Sequence, residues 1–376
     1  MRSARHFRRT GGCTIVIVRN IFDELFVLEV ANNHWGSLDR GLKIVRDFAT
    51  VARYHNVRCA IKLQFRDVDQ FVHRDFRDRQ DIRYIKKTVE TKLSDAELGT
   101  LVEEIRRNNC VRMSTPFDER SVGLCVELGV EIIKIASSDI TDWRLLEAIA
   151  GTKKPVIVST GGAAVKDMDA MVTFFGNRGI PFAINHCVSL YPSDASELEL
   201  NQIDFLRNRY PNITIGWSGH ERSKDIHDTM RVAYAKGART FERHVDIVTA
   251  DKPISPYCST PEEVSDWFGS FTRAKMLCGG SGDQRRMLPK KEIEYLDALV
   301  RGAYAARDLP AGARITRDDY YLAVPLQKGQ LSSRELIEGD VLVKSVVKDA
   351  MITVDLFDNP YARTKELRQL IDERGL

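Results

Sequence analysis

In the stretch ITIGWSGH-ERSKDIHDTMRVAYAKGA-RTFERH, residues 213–244, two short apolar or β-branched runs each lead to a histidine. The first run ends at His220 and the second at His244, and the amphipathic stretch Ile226–Lys236 lies between them. This pattern predicts two adjacent parallel strands joined by a helix. Both imidazoles would then emerge at the same rim of the sheet, where they can share one metal ion. For an isolated pair, one surface histidine and one core histidine would be the simpler interpretation.

The same pattern of a short apolar strand with a polar end, followed by a helical segment, repeats from residue 21. The predicted strands are Phe26–Glu29, Ala60–Gln64, Arg112–Ser114, Ile132–Ile135, Pro155–Ser159, Phe182–His186, Thr214–Ser218 and Thr240–His244. The predicted helices are Leu38–His55, Asp95–Asn108, Glu119–Leu128, Thr141–Ala150, Val165–Phe175, Leu200–Arg209, Ile226–Lys236 and Pro261–Leu277. Eight such units in about 250 residues predict a (β/α)8 TIM barrel of the α/β class.

The chain divides into five predicted segments. Residues 1–20 are interpreted as an N-terminal extension and residues 21–284 as the barrel. Residues 285–300 are predicted to form a charged linker helix. The pattern then changes to short alternating segments separated by turns, which predicts a small β-rich domain over residues 301–357. Residues 358–376 are predicted to form a polar, helical tail.

Composition excludes several classes of partner. Of 376 residues, 43% are apolar, and 56 basic residues against 53 acidic ones give a net charge of +3 without a basic stripe or patch. The apolar run Cys13–Val18 is too short to span a bilayer. The seven cysteines are scattered without a CxxC pair, which favours core thiols in a reducing compartment over disulfides or a zinc knuckle. We therefore expect a cytoplasmic protein that binds neither nucleic acid nor membrane.

Polar residues end all eight predicted strands, where the active sites of such barrels lie. One polar strand end could simply be solvated, but eight around one cavity favour an anionic, phosphate-bearing substrate beside a metal. The insertion Phe71–Leu93 is predicted to be a long loop that covers substrate at this face. The strand-end residues are Glu29, Lys62, Gln64, Ser114, Thr115, Lys134, Ser137, Ser159, Thr160, His186, Ser189, Ser218, His220, Glu242 and His244.

Several of these residues fall in ordered motifs: LEVANNHWGS (28–37), IKLQ (61–64), STPFD (114–118), IKIASSD (133–139), VSTGG (158–162) and HCVSLYP (186–192). Together with the two histidine segments, they resemble the N-acetylneuraminate (sialic acid) synthase family from about residue 26 to residue 357. The resemblance includes a C-terminal module similar to the antifreeze-like (SAF) domain of these enzymes. It implies a TIM barrel followed by a small SAF domain.

The resemblance implies condensation of phosphoenolpyruvate with the aldehyde of an open-chain amino sugar, giving a nine-carbon 2-keto-3-deoxy sugar acid and phosphate. A divalent ion on His220 and His244, Mn²⁺ or in its place Mg²⁺ or Co²⁺, would polarise the aldehyde. It also implies a homodimer in which each SAF domain caps the barrel of the partner subunit.

Roles of the other site residues follow from the same resemblance. Lys62 and Lys134 would neutralise the charge of phosphoenolpyruvate, and Glu242 would orient a ligand or a metal-bound water. Glu29 would hold sugar hydroxyls or move protons. The substrate-binding residues would be Gln64 and Tyr191 on the sugar side and Ser137, Ser159, Ser189 and Ser218 on the phosphoenolpyruvate side.

The sequence departs from the family pattern mainly on the sugar side. Gly219 stands where the family commonly has Asp, and the loop Asp251–Tyr257 lacks the usual Pro-Gly-Pro-Asp run. The Arg that the SAF domain normally delivers to the N-acyl group is replaced near Val324, unless Lys328 or Arg334 substitutes. The acceptor is therefore either N-acetylmannosamine or a diacetamido sugar of the legionaminic or pseudaminic type.

Two other functions remain open at the level of sequence. Lys134 ends a barrel strand and could form an imine, as in a Schiff-base aldolase, although this leaves the two histidines and Lys62 unexplained. Alternatively, the changes at Gly219 and Val324 could mark a sugar-binding protein that has lost the chemistry. Phosphate release that depends on a metal would exclude the second alternative.

Overall fold

Eight parallel strands close into a barrel in sequential order, with the eighth strand paired to the first. The computed structural model describes residues 20–376 except 251, 281, 283, 336 and 337. The predicted extension before Asn20 and Asp251 of the loop therefore lie outside the described residues. Two units are divided between Gly279 and Gly280, and the first contains the barrel. The predicted (β/α)8 fold is confirmed.

The strands and helices alternate through the first unit. Its strands are β1 Leu25–Glu29, β2 Arg58–Phe65, β3 Val111–Pro116, β4 Ile132–Ile135, β5 Val156–Ser159, β6 Phe182–Cys187, β7 Thr214–Gly219 and β8 Thr240–His244. Its helices are α1 Leu38–Tyr54, α2 Val68–Phe71, α3 Arg83–Glu90, α4 Asp95–Arg107, α5 Glu119–Glu127, α6 Trp143–Gly151, α7 Val165–Asn177, α8 Gln202–Arg209, α9 Ile226–Ala235 and α10 Pro261–Cys278. Among the described residues, no helix carries an apolar stretch long enough to cross a membrane.

Two layers of apolar side chains support the barrel. Inside, small and branched residues near the amino-terminal ends of the strands, such as Val27, Ala60 and Ile157, fill the lumen. Outside, the apolar faces of the helices pack on the strands, as Phe26 does against Trp267 and Phe268 of α10. Because the lumen is filled at its amino-terminal end, a cavity can open only at the carboxyl ends of the strands.

The second unit has its own apolar core and little regular sheet. Helix α11, Lys290–Asp297, precedes a two-stranded antiparallel sheet of β9 Gly302–Ala305 and β10 Tyr320–Ala323. Helices α12 Pro360–Arg363 and α13 Lys365–Asp372 end the chain. The segment Val341–Lys348 forms isolated β-bridges and not a continuous strand.

Two segments differ from their predicted form. The insertion Phe71–Leu93, predicted as a loop, contains a 3-10 turn and helix α3. Its dense charges hide the short helical pattern, in which only Thr88 is buried. The C-terminal segment, predicted as a polar tail, also contributes to packing, because Ile371 of α13 is 1% exposed and belongs to the core of the second unit.

Candidate active site

All twelve predicted site residues line one cavity of about 700 Å³ at the carboxyl ends of the barrel strands. The cavity holds two lysines, two histidines, two glutamates, four serines, a glutamine and a tyrosine from this set. They are Glu29, Lys62, Gln64, Lys134, Ser137, Ser159, Ser189, Tyr191, Ser218, His220, Glu242 and His244. The folding of the strands alone thus brings together residues up to 215 positions apart in the chain (29 to 244).

The register of the strands places the charged and imidazole side chains of the site at the same level of the barrel. Glu29, the last residue of β1, is the register partner of Lys62 on one side and of His244 on the other. On β7 and β8, Ser218 pairs with Glu242. Because neighbours in a parallel sheet project side by side, the acidic, basic and imidazole groups lie at one rim of the barrel.

A buried carboxylate joins the two lysines. Glu242 Oε1 lies 2.7 Å from Lys62 Nζ, and Glu242 Oε2 lies 2.7 Å from Lys134 Nζ. Lys62 also forms an ion pair with Glu29. Both oxygens of Glu242 are therefore engaged by ammonium groups.

Burial and charge act on these groups in opposite directions. Burial lowers the pKa of Lys62 to about 8, with Lys134 acting in the same sense and Glu242 opposing both. For Glu242, burial alone would raise the pKa, but Lys134 and Lys62 outweigh it and hold the pKa below its ordinary value. The carboxylate is therefore ionised at neutral pH, and it stabilises two buried cations.

The two histidines face each other across the cavity, with ring centroids 5.3 Å apart. The Nδ1 atom of His220 lies 2.8 Å from the carbonyl oxygen of Val188, which can only accept, so Nδ1 carries a proton and Nε2 is the ring nitrogen left for a ligand. Burial, His220 and Lys62 together hold the pKa of His244 well below its usual value, so this imidazole is neutral.

These two imidazoles suit a divalent transition metal that keeps open coordination positions. Within the described residues, no group of three His, Cys, Asp or Glu side chains converges in a geometry that could hold a metal ion. Two protein donors would leave the remaining positions to water and substrate. The donor set therefore suits an ion that acts on a substrate and not a closed structural site.

Aromatic rings form one wall beside the histidines. The ring of Tyr191 lies 4.1 Å from that of His220 and 5.2 Å from that of Tyr257, measured between centroids. Tyr257 lies 5.3 Å from His244. These rings pack against the imidazoles and line the same cavity.

The side chains of Ser137 and Ser189 lie close to the backbone of Gly161. The backbone amide of Gly161 donates to Ser137 Oγ at 3.0 Å. A Cβ added at Gly161 would lie 2.9 Å from Ser137 Oγ and closer still to Ser189 Oγ, so only glycine fits there. Ser159 Oγ is buried without a hydrogen-bond partner in the described structure, although it lines the cavity. An unpartnered hydroxyl beside a serine-rich turn suits an oxyanion ligand.

Three rim residues of the sequence analysis lie elsewhere. Ser114, Thr160 and His186 do not line the cavity, and His186 is a core residue whose Nε2 lies 2.8 Å from the carbonyl oxygen of Leu198. Conversely, several residues that line the cavity were not assigned a site role from the sequence. These are Ala31, Asn32, Arg66, Phe71, Tyr84, Lys87, Phe117, Ala136, Ser138, Asp139, Gly161, Cys187 and Tyr257. Arg66, one residue past the end of β2, could have been found by extending that strand.

The departure at Gly219 has a local structural explanation. A Cβ at Gly219 would lie 2.8 Å from Trp217 Nε1 and would collide with Oε2 of the buried Glu221. Glu221 accepts a hydrogen bond from Thr229 Oγ1 at 2.6 Å, and Arg243 Nη1 lies 3.5 Å from its Oε1. The space beside residue 219 is thus filled by the carboxylate of another residue.

A barrel with charged groups and imidazoles at the carboxyl ends of its strands defines a (β/α)8 enzyme. The sequence model of the NeuB family matches residues 51–279, and that of the SAF domain matches residues 300–358. The chain therefore belongs to the NeuB family, and its second unit contains a SAF domain. The resemblance drawn from the sequence motifs is confirmed.

Three known proteins show the range of similarity. A structure described as spore coat polysaccharide biosynthesis protein E of Chromobacterium violaceum has a TM-score of 0.86 at 36% identity, covering 89% of this chain and 100% of that one. N-acetylneuraminate-9-phosphate synthase of Drosophila melanogaster is 28% identical over 305 residues, 78% of this chain and 80% of its own. N,N'-diacetyllegionaminic acid synthase of Campylobacter jejuni is 24% identical over 339 residues, 87% of this chain and 98% of its own.

Proposed function

We propose that this enzyme condenses phosphoenolpyruvate with the aldehyde of an N-acylated amino sugar, giving a nonulosonic acid and phosphate. One observation carries the proposal: two lysines, a group of serines and two imidazoles line the same cavity. The names of the Drosophila and Campylobacter relatives, both synthases of nonulosonic acids, support it. The proposal places the chain in nonulosonic acid biosynthesis.

The lysines and serines form the phosphoenolpyruvate half of the proposed site. Lys62 and Lys134 balance the negative charge of the substrate, and Ser137, Ser159 and Ser218 donate hydrogen bonds to its carboxylate and phosphate. Because Glu242 already pairs with both lysines, it holds them in place before the substrate arrives. Burial makes each of these interactions stronger than in water.

The imidazoles form the acceptor half. His220 and His244 would hold a divalent ion, for which Mn²⁺ is the first candidate and Mg²⁺ or Co²⁺ the alternatives. Such an ion supplies Lewis acidity toward the sugar aldehyde. Tyr191 and Gln64 line the space for the sugar, and Glu29, hydrogen-bonded to Gln64 Nε2 at 3.0 Å, holds sugar hydroxyls or moves protons.

The reaction balances without a further reagent. C3 of phosphoenolpyruvate forms a bond to the aldehyde carbon, and the aldehyde oxygen gains a proton to become a hydroxyl. Water adds to C2 of the former phosphoenolpyruvate, and the resulting hemiketal phosphate collapses by cleavage of its C–O bond to give the keto acid and phosphate. Lys62, Lys134 and Glu29 are the described groups placed to stabilise charge or move protons in these steps.

The alternatives find less support in the contacts. A Schiff-base aldolase needs an uncharged amine, yet the ammonium of Lys134 donates to Glu242 Oε2 at 2.7 Å. A sugar-binding protein without chemistry would not need the buried Lys62–Glu242–Lys134 arrangement, which costs desolvation. The departure at Gly219 no longer argues for lost chemistry, because Glu221 fills that space.

The proposal extends to assembly and compartment. We propose a homodimer with exchanged SAF domains, which sedimentation analysis and a mixed-subunit complementation assay would test. We also propose a cytoplasmic enzyme, since the six cysteines of the described residues are free thiols. They suit a reducing environment.

The decisive assay is phosphate release from phosphoenolpyruvate in the presence of Mn²⁺, with and without a chelator. N-acetylmannosamine is compared with a panel of diacetamido hexoses. Release that depends on both a sugar and the metal supports the condensation and identifies the acceptor. No release with any sugar, from protein that gives a cooperative unfolding transition, would contradict the proposed function.

A further inference from the structure

Arg66 is a cation of the cavity that forms no direct ion pair among the described residues. It follows directly after β2, and its guanidinium lies 3.9 Å from the centre of the Phe117 ring. Its Nη2 donates to Gln64 Oε1 at 2.6 Å and its Nη1 to Asn32 Oδ1 at 3.3 Å, while its buried Nε has no partner. Among the described residues, no carboxylate lies within 4.0 Å of it, so its hydrogen-bond acceptors are neutral.

A second cation lines the same part of the cavity. Lys87 and Tyr84 are one turn apart on α3, and both line the cavity with Arg66. The Arg66 guanidinium lies 5.8 Å from the ring of Tyr84. Lys87 Nζ lies 5.1 Å from the Trp35 ring and has no ion-pair partner within the part of the chain that the structure describes.

The lysines at the base of the cavity differ from Arg66 and Lys87 because they form ion pairs with carboxylates. Lys62 and Lys134 are matched by Glu29 and Glu242, so that cluster is close to neutral. At the other end, burial lowers the pKa of Arg66, and burial is also the main cause of the lowered pKa of Lys87. An unpaired, desolvated cation is costly unless a ligand supplies the opposite charge.

One carboxylate, Asp139, also lines this end of the cavity and acts on Arg66 electrostatically, but among the described residues it makes no ion pair with Arg66 or Lys87 within 4.0 Å. Asp139 Oδ2 is buried without a partner, and burial raises its pKa. It leaves the guanidinium free for a ligand and can itself accept from a sugar hydroxyl, or donate to one when protonated. The polar groups at this end thus match a ligand that carries both hydroxyls and negative charge.

Position along the strand indicates which part of the ligand they would contact. Arg66 is four residues beyond Lys62 in the direction of β2, which corresponds to roughly 13 Å along an extended strand. A hydrogen-bonded series links the two levels, from Arg66 to Gln64, from Gln64 to Glu29 and from Glu29 to Lys62. The backbone of Arg66 therefore lies nearer the mouth of the cavity than that of Lys62, which belongs to the proposed phosphoenolpyruvate half of the site.

We propose that Arg66, assisted by Lys87, binds an anionic substituent, a phosphate monoester or a carboxylate, at the end of the acceptor sugar remote from its aldehyde. This inference rests on the proposed function. The planar guanidinium fork suits either oxyanion. A neutral sugar at this position would leave the two cations without a counter-charge, so the site discriminates against it.

Binding and turnover are measured separately for three probes: N-acetylmannosamine, its 6-phosphate, and N-acetylmannosaminuronic acid, which carries a carboxylate at C6. Calorimetry is carried out with the metal-loaded, full-length enzyme. At least one anionic probe is expected to bind about tenfold more tightly or better than the neutral sugar. Preference for the phosphate or for the carboxylate identifies the anion, and no preference for either would overturn the inference.

Variants assign the effect to these residues. Arg66→Gln and Lys87→Ala should each remove most of the preference for the anionic probe, while the KM for phosphoenolpyruvate stays within about twofold. Lys86→Ala, at the exposed neighbouring position of α3, is the matched control and should keep the preference. If Arg66→Gln fails to fold, Lys87→Ala and Arg66→Lys still test the site, since Arg66→Lys should retain part of the preference.

The outcomes distinguish this inference from the proposed function. Anion-selective binding that Arg66→Gln abolishes, without turnover of any probe, would contradict the synthase reaction and support the anion site. Turnover of neutral N-acetylmannosamine at a rate equal to or above that of both anionic probes would support the synthase and overturn the anion site. A preference that survives in both Arg66→Gln and Lys87→Ala would also overturn it.

Discussion

Lys134 Nζ lies 2.7 Å from Oε2 of Glu242, inside the barrel and almost completely shielded from solvent. The other oxygen of the same carboxylate holds Lys62 at 2.7 Å. Strands β2 and β4, which are separated in the barrel by β3, therefore present their lysines to one residue of β8. Neutralising Glu242 would leave two buried cations with a single carboxylate, Glu29, so the pairing is needed for folding as well as for the proposed chemistry.

The first prediction concerns this pairing. Glu242→Gln should lower the free energy of unfolding by about 3–5 kcal/mol, because breaking a buried ion pair leaves an uncompensated charge. Urea denaturation of the variant and the wild type measures the loss. Glu104→Gln, which breaks a surface pair with Arg46, is the control and should cost much less. Equal losses in the two variants would show that the buried arrangement contributes nothing special.

A second prediction concerns pH. Lys62 carries its positive charge below its pKa of about 8 and loses it above. If the ammonium attracts phosphoenolpyruvate, kcat/KM for this substrate should be constant below that pKa and should fall about tenfold per pH unit well above it. Initial rates between pH 6.5 and 9.5, at saturating sugar and metal, measure the profile. A profile that rises continuously across this range would contradict the role given to Lys62.

The histidine pair leads to a third prediction. His220→Ala and His244→Ala should each lose a metal donor, so that Mn²⁺ binds more weakly and turnover falls below about 1% of the wild type. Electron paramagnetic resonance of added Mn²⁺ reports binding independently of activity. His73→Ala, at a solvent-exposed histidine, should bind Mn²⁺ normally. Wild-type Mn²⁺ affinity in both cavity variants would remove the assignment.

Gly219 permits a fourth prediction, about packing. Gly219→Ala should destabilise the protein by about 1–3 kcal/mol, because its Cβ would press on Glu221 and on Trp217 Nε1. Gly269→Ala is the opposite case, since this glycine lies inside α10 and its Cβ would meet nothing within 4 Å. There the change should stabilise by about 0.5–1 kcal/mol through helix propensity. Thermal unfolding of both variants decides whether the crowding at residue 219 is real.

Much of the barrel could be predicted because its strands are short, apolar and regularly spaced. The bounds of β4, Ile132–Ile135, and of β8, Thr240–His244, match the prediction at both ends. Residues such as Lys62 and His244 are brought to the rim by strand direction alone, so placing them required only the barrel geometry. That is why all the predicted site residues line one cavity.

The partners of those residues could not be predicted in the same way. Glu242 and Lys134 are 108 positions apart in the chain, and their pairing depends on side-chain reach across the barrel lumen. Arg66 was missed because the predicted second strand stopped at Gln64, two residues before Arg66. Helix α3 was missed because it has only eight residues, half of which are charged, so its few apolar residues give too short a pattern.

The most direct test of the proposed condensation uses phosphoenolpyruvate labelled with ¹⁸O at its bridging oxygen, together with Mn²⁺ and the acceptor sugar selected by the phosphate-release assay. The products are identified by mass spectrometry. The proposed condensation should give a new 2-keto acid with the combined carbons of the sugar and of pyruvate, formed in equal amounts with phosphate that carries the label. Unlabelled phosphate, or phosphate without the new keto acid, would contradict it.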